Sequence, residues 1–267
     1  MAESVRRRRE ELLDLLRTQE LVSNRQLGDS LDISQSTLRR DLDALEEKGL
    51  VERIHGSARL AQRPDRAMDK RELWFYNRRE IAVAEKKAIA RAALDFLEPD
   101  DVIMIDASTS GLFFARAIPA DLSLTIITHS AYLPVELADK SNIQLICTGG
   151  ILHSRSMCYV GLEAENNLQH LHAHRAFFGV KGLTLREGCT DVSPLEVRLK
   201  ASMAREAHEL VLLADHSKLG NVALASFAPA NRVSTLVTDE LADPDLIQAL
   251  KALDVQVIQA PLSTNST

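Results

Sequence analysis

Residues 34–51 read SQSTLRRDLDALEEKGLV, and the spacing within this stretch decides the fold of the N-terminal part. Leu38, Leu42 and Leu45 fall at i, i+4 and i+7, which puts them on one face of a helix. The same spacing turns Ser36, Thr37, Arg39, Arg40 and Asp43 towards solvent or the flank. Ser34 is placed to cap a helix running from Gln35 to about Lys48, and Gly49 is placed to end it as a left-handed C′ residue.

Working upstream, Leu12, Leu13, Leu15 and Leu16 make the apolar stripe of a first helix over about residues 4–18. Ser23 is a good N-cap for a second helix, Asn24 to Leu31, which buries Leu27 and Leu31. Asp32, Ile33 and Ser34 form the turn between the second and third helices. Downstream, Leu50 to Ile54 and Ala58 to Leu60 are short strand candidates around a His55-Gly56 turn. Helix, helix, turn, helix and hairpin is the layout of a winged helix-turn-helix.

That layout suits DNA. A capped helix N-terminus offers N–H groups to a phosphate, and Ser34, Gln35, Ser36 and Thr37 can approach base edges from it. Arg39 and Arg40 suit phosphates or guanine O6 and N7, and Arg53, His55 and Arg59 give the wing a basic edge. From pattern alone, the same residues also describe a small three-helix module whose arginines form a solvated face. The run Arg6-Arg7-Arg8-Arg9 is either a phosphate-contacting arm or a solvated helix start.

Bulk properties set the frame. The chain has 267 residues, 45% hydrophobic and 26% charged, with a net charge of -6, which are the proportions of an ordinary globular protein. Overall acidity does not exclude DNA, because attraction depends on where the positive charge lies. Three widely spaced cysteines, Cys147, Cys158 and Cys189, imply a reducing compartment and no disulfide framework or zinc site. With no apolar run of membrane-spanning length and no signal-peptide pattern, the expected location is the cytoplasm, without a membrane partner.

Residues Gln62 to Arg71, after the helical N-terminal part, are polar, charged and interrupted by Pro64, which reads as a linker. The expected organisation is a DNA-binding domain over 1–62, a linker over 63–76, a second domain over 77–260 and a polar tail over 261–267. The fold class is therefore two-domain: a winged helix-turn-helix of α+β type and a C-terminal α/β domain with a mostly parallel sheet.

In the second domain the strand candidates are Val102–Asp106, Leu124–Thr128, Ile143–Cys147, Ala176–Val180, Leu210–Asp215, Leu236–Asp239 and Val255–Gln259. Helical patterns, including Glu80–Phe96, Ala131–Ala138, Leu195–Ala207 and Asp245–Leu253, alternate with them, as in βαβ units. Ligands of such sheets bind at the carboxyl ends of the strands. Three strands end in small polar residues: Asp106-Ala107-Ser108-Thr109-Ser110, then Thr128-His129-Ser130, then Thr148-Gly149-Gly150. A fourth runs into Asp215-His216-Ser217-Lys218. Hydroxyls and exposed amides cradle anions, so three loops and a lysine at one sheet edge point to a phosphate pocket. A single such loop would more simply be read as helix capping.

Residues 6–60 resemble the DeoR family of bacterial repressors. The resemblance rests on Arg-Arg-Glu-Glu-Leu-Leu at the start, Ser36-Thr37-Leu38-Arg39-Arg40-Asp41-Leu42, Leu45-Glu46-Glu47-Lys48-Gly49-Leu50-Val51 and Arg53-Ile54-His55-Gly56. Ser57 stands where the family usually has a second glycine. The resemblance extends over about residues 75–240 to a domain similar to ribose-5-phosphate isomerase and its sugar-phosphate-binding relatives. Carried over by position, it implies that Ser108, Thr109, Ser110 and Lys218 hold a phosphate. Asp106, His129, Gly150, Lys181, Asp191 and Glu196 would then surround the sugar. Lys181 departs from the isomerase pattern, where a Gly-Ala-Asp motif supplies a carboxylate. That departure removes a group proton transfer would use and favours an anionic or carbonyl group in the ligand.

The resemblance implies a DNA-binding transcriptional regulator, a repressor of a carbohydrate-metabolism operon. Its operator affinity would answer to a phosphorylated sugar, and it would act as a dimer or tetramer. Neither a cofactor nor a metal is implied. A sugar-phosphate isomerase with a DNA-binding appendage is the competing class, and a constitutive DNA-binding protein with a degenerate second domain is the third. His170, His172 and His174 alternate as strand ligands of a metal would, but no acidic or cysteine cluster accompanies them. Trp74, Phe75 and Tyr76 suit a ligand ring, a domain contact or a subunit interface.

Overall fold

The computed structural model describes residues 8–9, 11–13, 15–16, 22–31, 33–46, 51–54, 56–60 and 73–262. The chain forms two compact units, Met1–Asp69 and Lys70–Thr267.

In the first unit, the described residues from Arg8 to Leu16 are helical, and helices Asn24–Ser30 and Gln35–Glu46 come next. Ser23 caps the second helix reciprocally: its hydroxyl accepts from the Gln26 amide, and the Gln26 side chain accepts from the Ser23 amide. Ser34 performs the expected capping, accepting from the Thr37 amide at 3.3 Å. Strands β1 (Val22–Ser23), β2 (Val51–Ile54) and β3 (Ser57–Leu60) make an antiparallel sheet in the order β1-β3-β2. Leu12, Leu16, Leu27, Leu38, Leu42, Leu45, Val51 and Ala58 form one buried cluster, so the stripes read from spacing meet in a single core. Gly49 and His55 lie outside the described residues.

The second unit is built on a seven-stranded parallel sheet. Its strands are β4 (Asp101–Ile105), β5 (Leu124–Thr128), β6 (Ile143–Cys147), β9 (Ala173–Phe178), β12 (Ala207–Leu213), β14 (Thr235–Asp239) and β15 (Gln256–Ala260). The spatial order is β15-β14-β12-β9-β4-β5-β6, with every pairing parallel. Alternation within the strands fills two cores. Ile103, Ile105, Phe177, Val211, Leu213 and Val237 face helices Val83–Ala93, Thr109–Ala117 and Leu133–Leu137. Met104, Ala176, Phe178, Leu210, Leu212 and Leu236 face helices Leu162–Leu168, Pro194–Glu206 and Pro244–Lys251. Burial on both faces is what makes these strands legible as near-continuous apolar runs.

Two smaller sheets stand apart from the main one. β7 (Ile151–His153) pairs with β8 (Cys158–Val160), and β10 (Gly182–Thr184), β11 (Gly188–Asp191) and β13 (Ala225–Ala228) form an antiparallel trio. None of these was expected as a strand. β9 and β12 also begin three residues before the expected Ala176 and Leu210. Their first turns carry polar side chains that find partners: Arg175 bonds Asp101 and Glu209, and His174 Nδ1 lies 2.8 Å from Asp101 Oδ1. Only His174 of the three alternating histidines lies on a strand.

The expected linker over 63–76 needs correction at its end. Leu73–Arg79 is a helix, and Phe75 is fully buried in the core of the second unit, 5.5 Å from the Tyr132 ring. An aromatic side chain with an apolar slot available docks rather than remaining in a solvated linker. Among the described residues no helix is long and apolar enough to cross a membrane.

Candidate effector pocket and DNA-facing helix

The strand order reverses between β4 and β9: the chain runs outward through β4, β5 and β6, then returns to lay β9 beside β4 and continues to β15. A crevice opens outside the carboxyl ends at such a reversal. Here it is a cavity of about 400 Å³ lined by residues from five parts of the chain. Thr109 and Ser110 come from the loop and helix after β4, Gly179, Val180 and Lys181 from the end of β9, and Asp215, Ser217, Lys218 and Asn221 from beyond β12. Arg78, Ile81 and Lys86 reach it from the helical segment before β4, and Val192 from beyond β11.

The first loop is held open as a helix N-terminus. Ser108 caps Thr109–Ala117 by accepting from the Gly111 amide at 2.9 Å. Asp106 accepts from the Ser108 amide and hydroxyl, and from the Gly179 amide at 3.1 Å, which ties the β4 loop to the end of β9. Gly179 has to be glycine here, because a Cβ would come within 2.5 Å of Ser108 Oγ. The helix is nine residues long, and the first amides of any α-helix have no intrahelical acceptor.

Beneath the cavity lies a sealed ion cluster. Lys200 Nζ is 2.9 Å from Asp106 Oδ2 and 2.6 Å from Asp191 Oδ2, and it donates to the Gly179 carbonyl oxygen at 2.9 Å. All three side chains are almost fully excluded from solvent. Burial alone would push the Lys200 ammonium down, but Asp106, Asp191 and Glu196 outweigh it and hold it above the ordinary lysine value. Burial would likewise raise Asp191, which Lys200 and the Val192 amide hold below the usual carboxylate range.

The cavity wall itself is crowded with positive charge. Among the described residues, four basic side chains, Arg78, Lys86, Lys181 and Lys218, and one carboxylate, Asp215, line it. Asp215 accepts from the Ser217 amide and hydroxyl, and lies 3.4 Å from Lys218 Nζ. Burial, reinforced by Arg78, pushes Lys181 down to about 6 and Lys86 to about 8. Lys86 meanwhile donates to the carbonyl oxygens of Arg78 and Ile81. An anion bound beside Lys181 and Lys86 would favour their protonated forms.

The expected site residues separate into groups. Thr109, Ser110, Lys181 and Lys218 line the one cavity. Asp106, Ser108 and Asp191 form its buried framework. Glu196 lines a neighbouring cavity with His153, Arg155 and Ser156, accepting from the Ser156 hydroxyl at 2.6 Å; Val192 borders both. His129 is fully buried, and neither ring nitrogen has a hydrogen-bond partner; burial holds its pKa below the ordinary histidine value. Gly150, with φ +109°, packs against the Val160 carbonyl and Ala164 rather than bordering the cavity.

Two of the three small-residue loops therefore do not line the cavity. The Thr128 hydroxyl donates to the Ile105 carbonyl, and Ser130 caps the following turn through the Tyr132 and Leu133 amides. Both loops miss the cavity because β5 and β6 lie on the far side of β4 from the reversal. Lys200, Arg78 and Lys86 were not foreseen; only their contacts in the fold identify them.

His153, Cys158 and Glu196 bring ligand-type atoms within 4.8 Å of one another. The Ser156 hydroxyl already bonds both His153, at 2.8 Å, and Glu196. Burial, aided by Glu196, pushes the Cys158 thiol up to about 12, which disfavours the thiolate a metal would need.

On the first unit, Ser34, Gln35, Ser36, Arg39 and Arg40 are exposed and Thr37 is half-buried at the start of Gln35–Glu46. The Gln35 side chain donates to the Asn24 carbonyl at 3.2 Å, locking two helices together. In the wing, Arg53 pairs with Asp43 and Arg59 with Glu52. Arg8 and Arg9 place their Nε atoms 2.6 and 2.8 Å from the two oxygens of buried Asp41, so both serve the first unit's structure.

Family models match both parts: a DeoR-like helix-turn-helix domain over residues 8–63 and a DeoR C terminal sensor domain over 81–240. The chain is 34% identical over 259 residues to the HTH-type transcriptional regulator YulB of Bacillus subtilis (strain 168), covering 97% of this chain and 98% of that protein. It is 30% identical to an L-fucose operon activator of Haemophilus influenzae (strain ATCC 51907 / DSM 11121 / KW20 / Rd), over 87% of this chain and 91% of that protein. Among solved structures it is similar to ribose 5-phosphate isomerase A of Methanocaldococcus jannaschii, with a TM-score of 0.37, 17% identity, and coverage of 50% of this chain and 53% of that one. The protein is a member of the DeoR family of helix-turn-helix transcriptional regulators, not an enzyme, and joins a DNA-binding domain to a C-terminal sensor domain.

Proposed function

We propose that this regulator represses a carbohydrate-metabolism operon and leaves its operator when a phosphorylated sugar fills the cavity at the β4–β9 reversal. The observation that carries this reading is the pairing of a helix N-terminus bearing Thr109 and Ser110 with Lys218 across one cavity whose ionisable lining is basic apart from Asp215 among the described residues. Amides, hydroxyls and an ammonium converging on one point are the chemistry of phosphate binding. In this reading Asp106 and Ser108 hold the loop, Asp191 anchors Lys200 beneath it, and Lys181 lines the part open to the sugar, whereas Glu196, His129 and Gly150 lie outside this cavity. The similarity to a fucose-operon regulator supports a sugar-derived ligand.

Ser34, Ser36, Thr37, Arg39 and Arg40 would contact the operator, with Gln35, Arg53, His55 and Arg59 completing the DNA face in the cytoplasm. A homo-oligomer would present two recognition helices to two half-sites. The ligand then shifts the population towards a form with weaker operator affinity, in proportion to its differential affinity for the two forms.

The test is fluorescence anisotropy on DNA from upstream of the protein's own operon, titrated at fixed salt with sugar phosphates and the matching free sugars. Release by a phosphorylated compound, with no effect of its free sugar, is expected. Tightening of the complex would reverse the proposed sign of control, and indifference to every phosphate would contradict the sensor reading.

A further inference from the structure

The cavity wall made by Arg78, Ile81 and Lys86 is also the joint between two helices. The first of them, Leu73–Arg79, is the first described element after the first unit, which ends at Asp69. In the chain it therefore stands between the DNA-binding unit and the cavity. The second, Val83–Ala93, follows after only three residues, Glu80, Ile81 and Ala82. Ala82 turns the chain between them with φ +53° and ψ +47°, in the left-handed region, and no side-chain cap supports it. A residue with a Cβ rarely adopts that conformation, which persists where surrounding contacts hold it.

Lys86 supplies such contacts. From the first turn of Val83–Ala93, its buried ammonium donates to the Arg78 carbonyl oxygen at 2.6 Å and to the Ile81 carbonyl oxygen. Its backbone amide donates to the Ala82 carbonyl at 3.0 Å. One residue thus spans the joint, binding the last turn of one helix to the first turn of the next. The helix Leu73–Arg79 has its own anchors in Phe75, buried in the core, and Arg79, which donates to the Tyr132 hydroxyl at 2.9 Å. Release by Lys86 would therefore swing this helix without detaching it.

The same ammonium lines the cavity, where a phosphate offers it a stronger acceptor. Carbonyl oxygens are partial charges, whereas a phosphate monoester carries about two negative charges at neutral pH. With donor and acceptor both ionised, the pair is the stronger one. We infer that Lys86 couples sensing to the DNA-binding unit: a phosphate in the cavity draws its ammonium off the Arg78 and Ile81 carbonyls, and the joint at Ala82 then lets Leu73–Arg79 swing about Phe75. This inference rests on the phosphate-pocket reading above and adds the route by which a filled cavity is reported along the chain.

Hydrogen–deuterium exchange of the full chain over residues 73–82 reads this joint, and Trp74, the single tryptophan of the sequence, reports from within the helix. The probes are inorganic phosphate, ribose 5-phosphate, glucose 6-phosphate and fructose 6-phosphate, with calorimetry recording which of them bind. At saturation with a sugar phosphate that binds, wild-type exchange over 73–82 should quicken by about tenfold and Trp74 emission should shift. Lys86→Met, shown by circular dichroism to be folded, should exchange at that faster rate before any ligand is added. It should bind the sugar phosphate more weakly and respond no further at saturation.

Unchanged or slower exchange in liganded wild type overturns the inference and leaves the phosphate pocket standing, and that arm needs no variant. A merely structural Lys86 would give this result, with fast exchange confined to Lys86→Met. Exchange in ligand-free Lys86→Met at the wild-type rate, or a ligand response as large as that of wild type, assigns the coupling to another group and also overturns it. Absence of binding by all the probes, inorganic phosphate included, overturns the pocket reading as well.

Discussion

Lys200 Nζ lies 2.9 Å from Asp106 Oδ2, and both side chains are sealed from solvent beneath the cavity. This contact joins the helix Pro194–Glu206 to the loop after β4, the loop whose Ser108 caps the proposed phosphate-binding helix. The charge cluster thus ties the sheet's carboxyl edge to the helix behind it.

Removing the cation should therefore unfold more than it rearranges. Lys200→Met leaves Asp106 and Asp191 buried without their partner, at a cost of about 3–5 kcal/mol. Denaturant unfolding of the full chain is expected to show this loss in the transition of the second unit. A loss below about 1 kcal/mol would mean that water or another group replaces the ammonium.

Gly179 makes a second, local prediction. In Gly179→Ala the added Cβ would meet Ser108 Oγ at 2.5 Å and Ser108 Cβ at 2.6 Å. Relief of that clash should displace the cap and cost about 1–3 kcal/mol of stability. Phosphate affinity, measured by titration, should fall with it, whereas operator affinity without ligand should stay near the wild-type value.

How far the sequence reveals this architecture depends on what each residue's neighbours are. The parallel strands are legible because burial on both faces makes them apolar runs, and the N-terminal helices because Leu12 and Leu16, and Leu38, Leu42 and Leu45, repeat at helical spacing while Ser23 and Ser34 cap the second and third helices. β7, β8 and β10 have three residues each, too few for alternation to register. Lys200 looks like a solvated helix lysine within PLEVRLKASMARE; only tertiary structure brings Asp106 and Asp191 to it. Arg78 follows a charged, proline-bearing stretch that reads as linker. Thr128 and Ser130 have the composition of an anion loop, and their position on the far side of β4 makes them caps instead.

The pH dependence of binding follows from Lys181. Burial and the adjacent Arg78 hold it at about 6, below its unfolded value, so at neutral pH its amine is largely unprotonated without ligand. An anion bound beside it raises that value, so binding takes up a proton, and affinity rises as pH falls towards about 6 and levels off below it. Titrations at about pH 7.5 in buffers of different ionisation enthalpy should record the uptake. Lys181→Met, compared in the same buffers, removes this part and leaves the ligand's own phosphate protonation. Equal uptake by wild type and Lys181→Met would assign the linkage to another group.

Asp41 makes the corresponding prediction for the first unit. Burial would raise its carboxyl pKa, but hydrogen bonds from Arg8 and Arg9 hold it below the usual range. Asp41→Asn removes the charge both arginines face and should loosen the packing of the first helical segment on Gln35–Glu46. Operator affinity is expected to drop at least tenfold, with ligand titrations unchanged. Wild-type DNA binding by this variant would mean that the recognition helix keeps its pose without the clamp.

The division of labour between the two units is the central claim, and one paired experiment addresses it. Operator binding is followed by anisotropy for Arg40→Ala and Lys218→Ala, with a titration of the active phosphorylated sugar on each. Arg40→Ala should lose DNA affinity and keep ligand binding, whereas Lys218→Ala should bind the operator normally and fail to release it. Loss of both activities in either folded variant would contradict the assignment of DNA recognition to Gln35–Glu46 and of sensing to the cavity at the β4–β9 reversal.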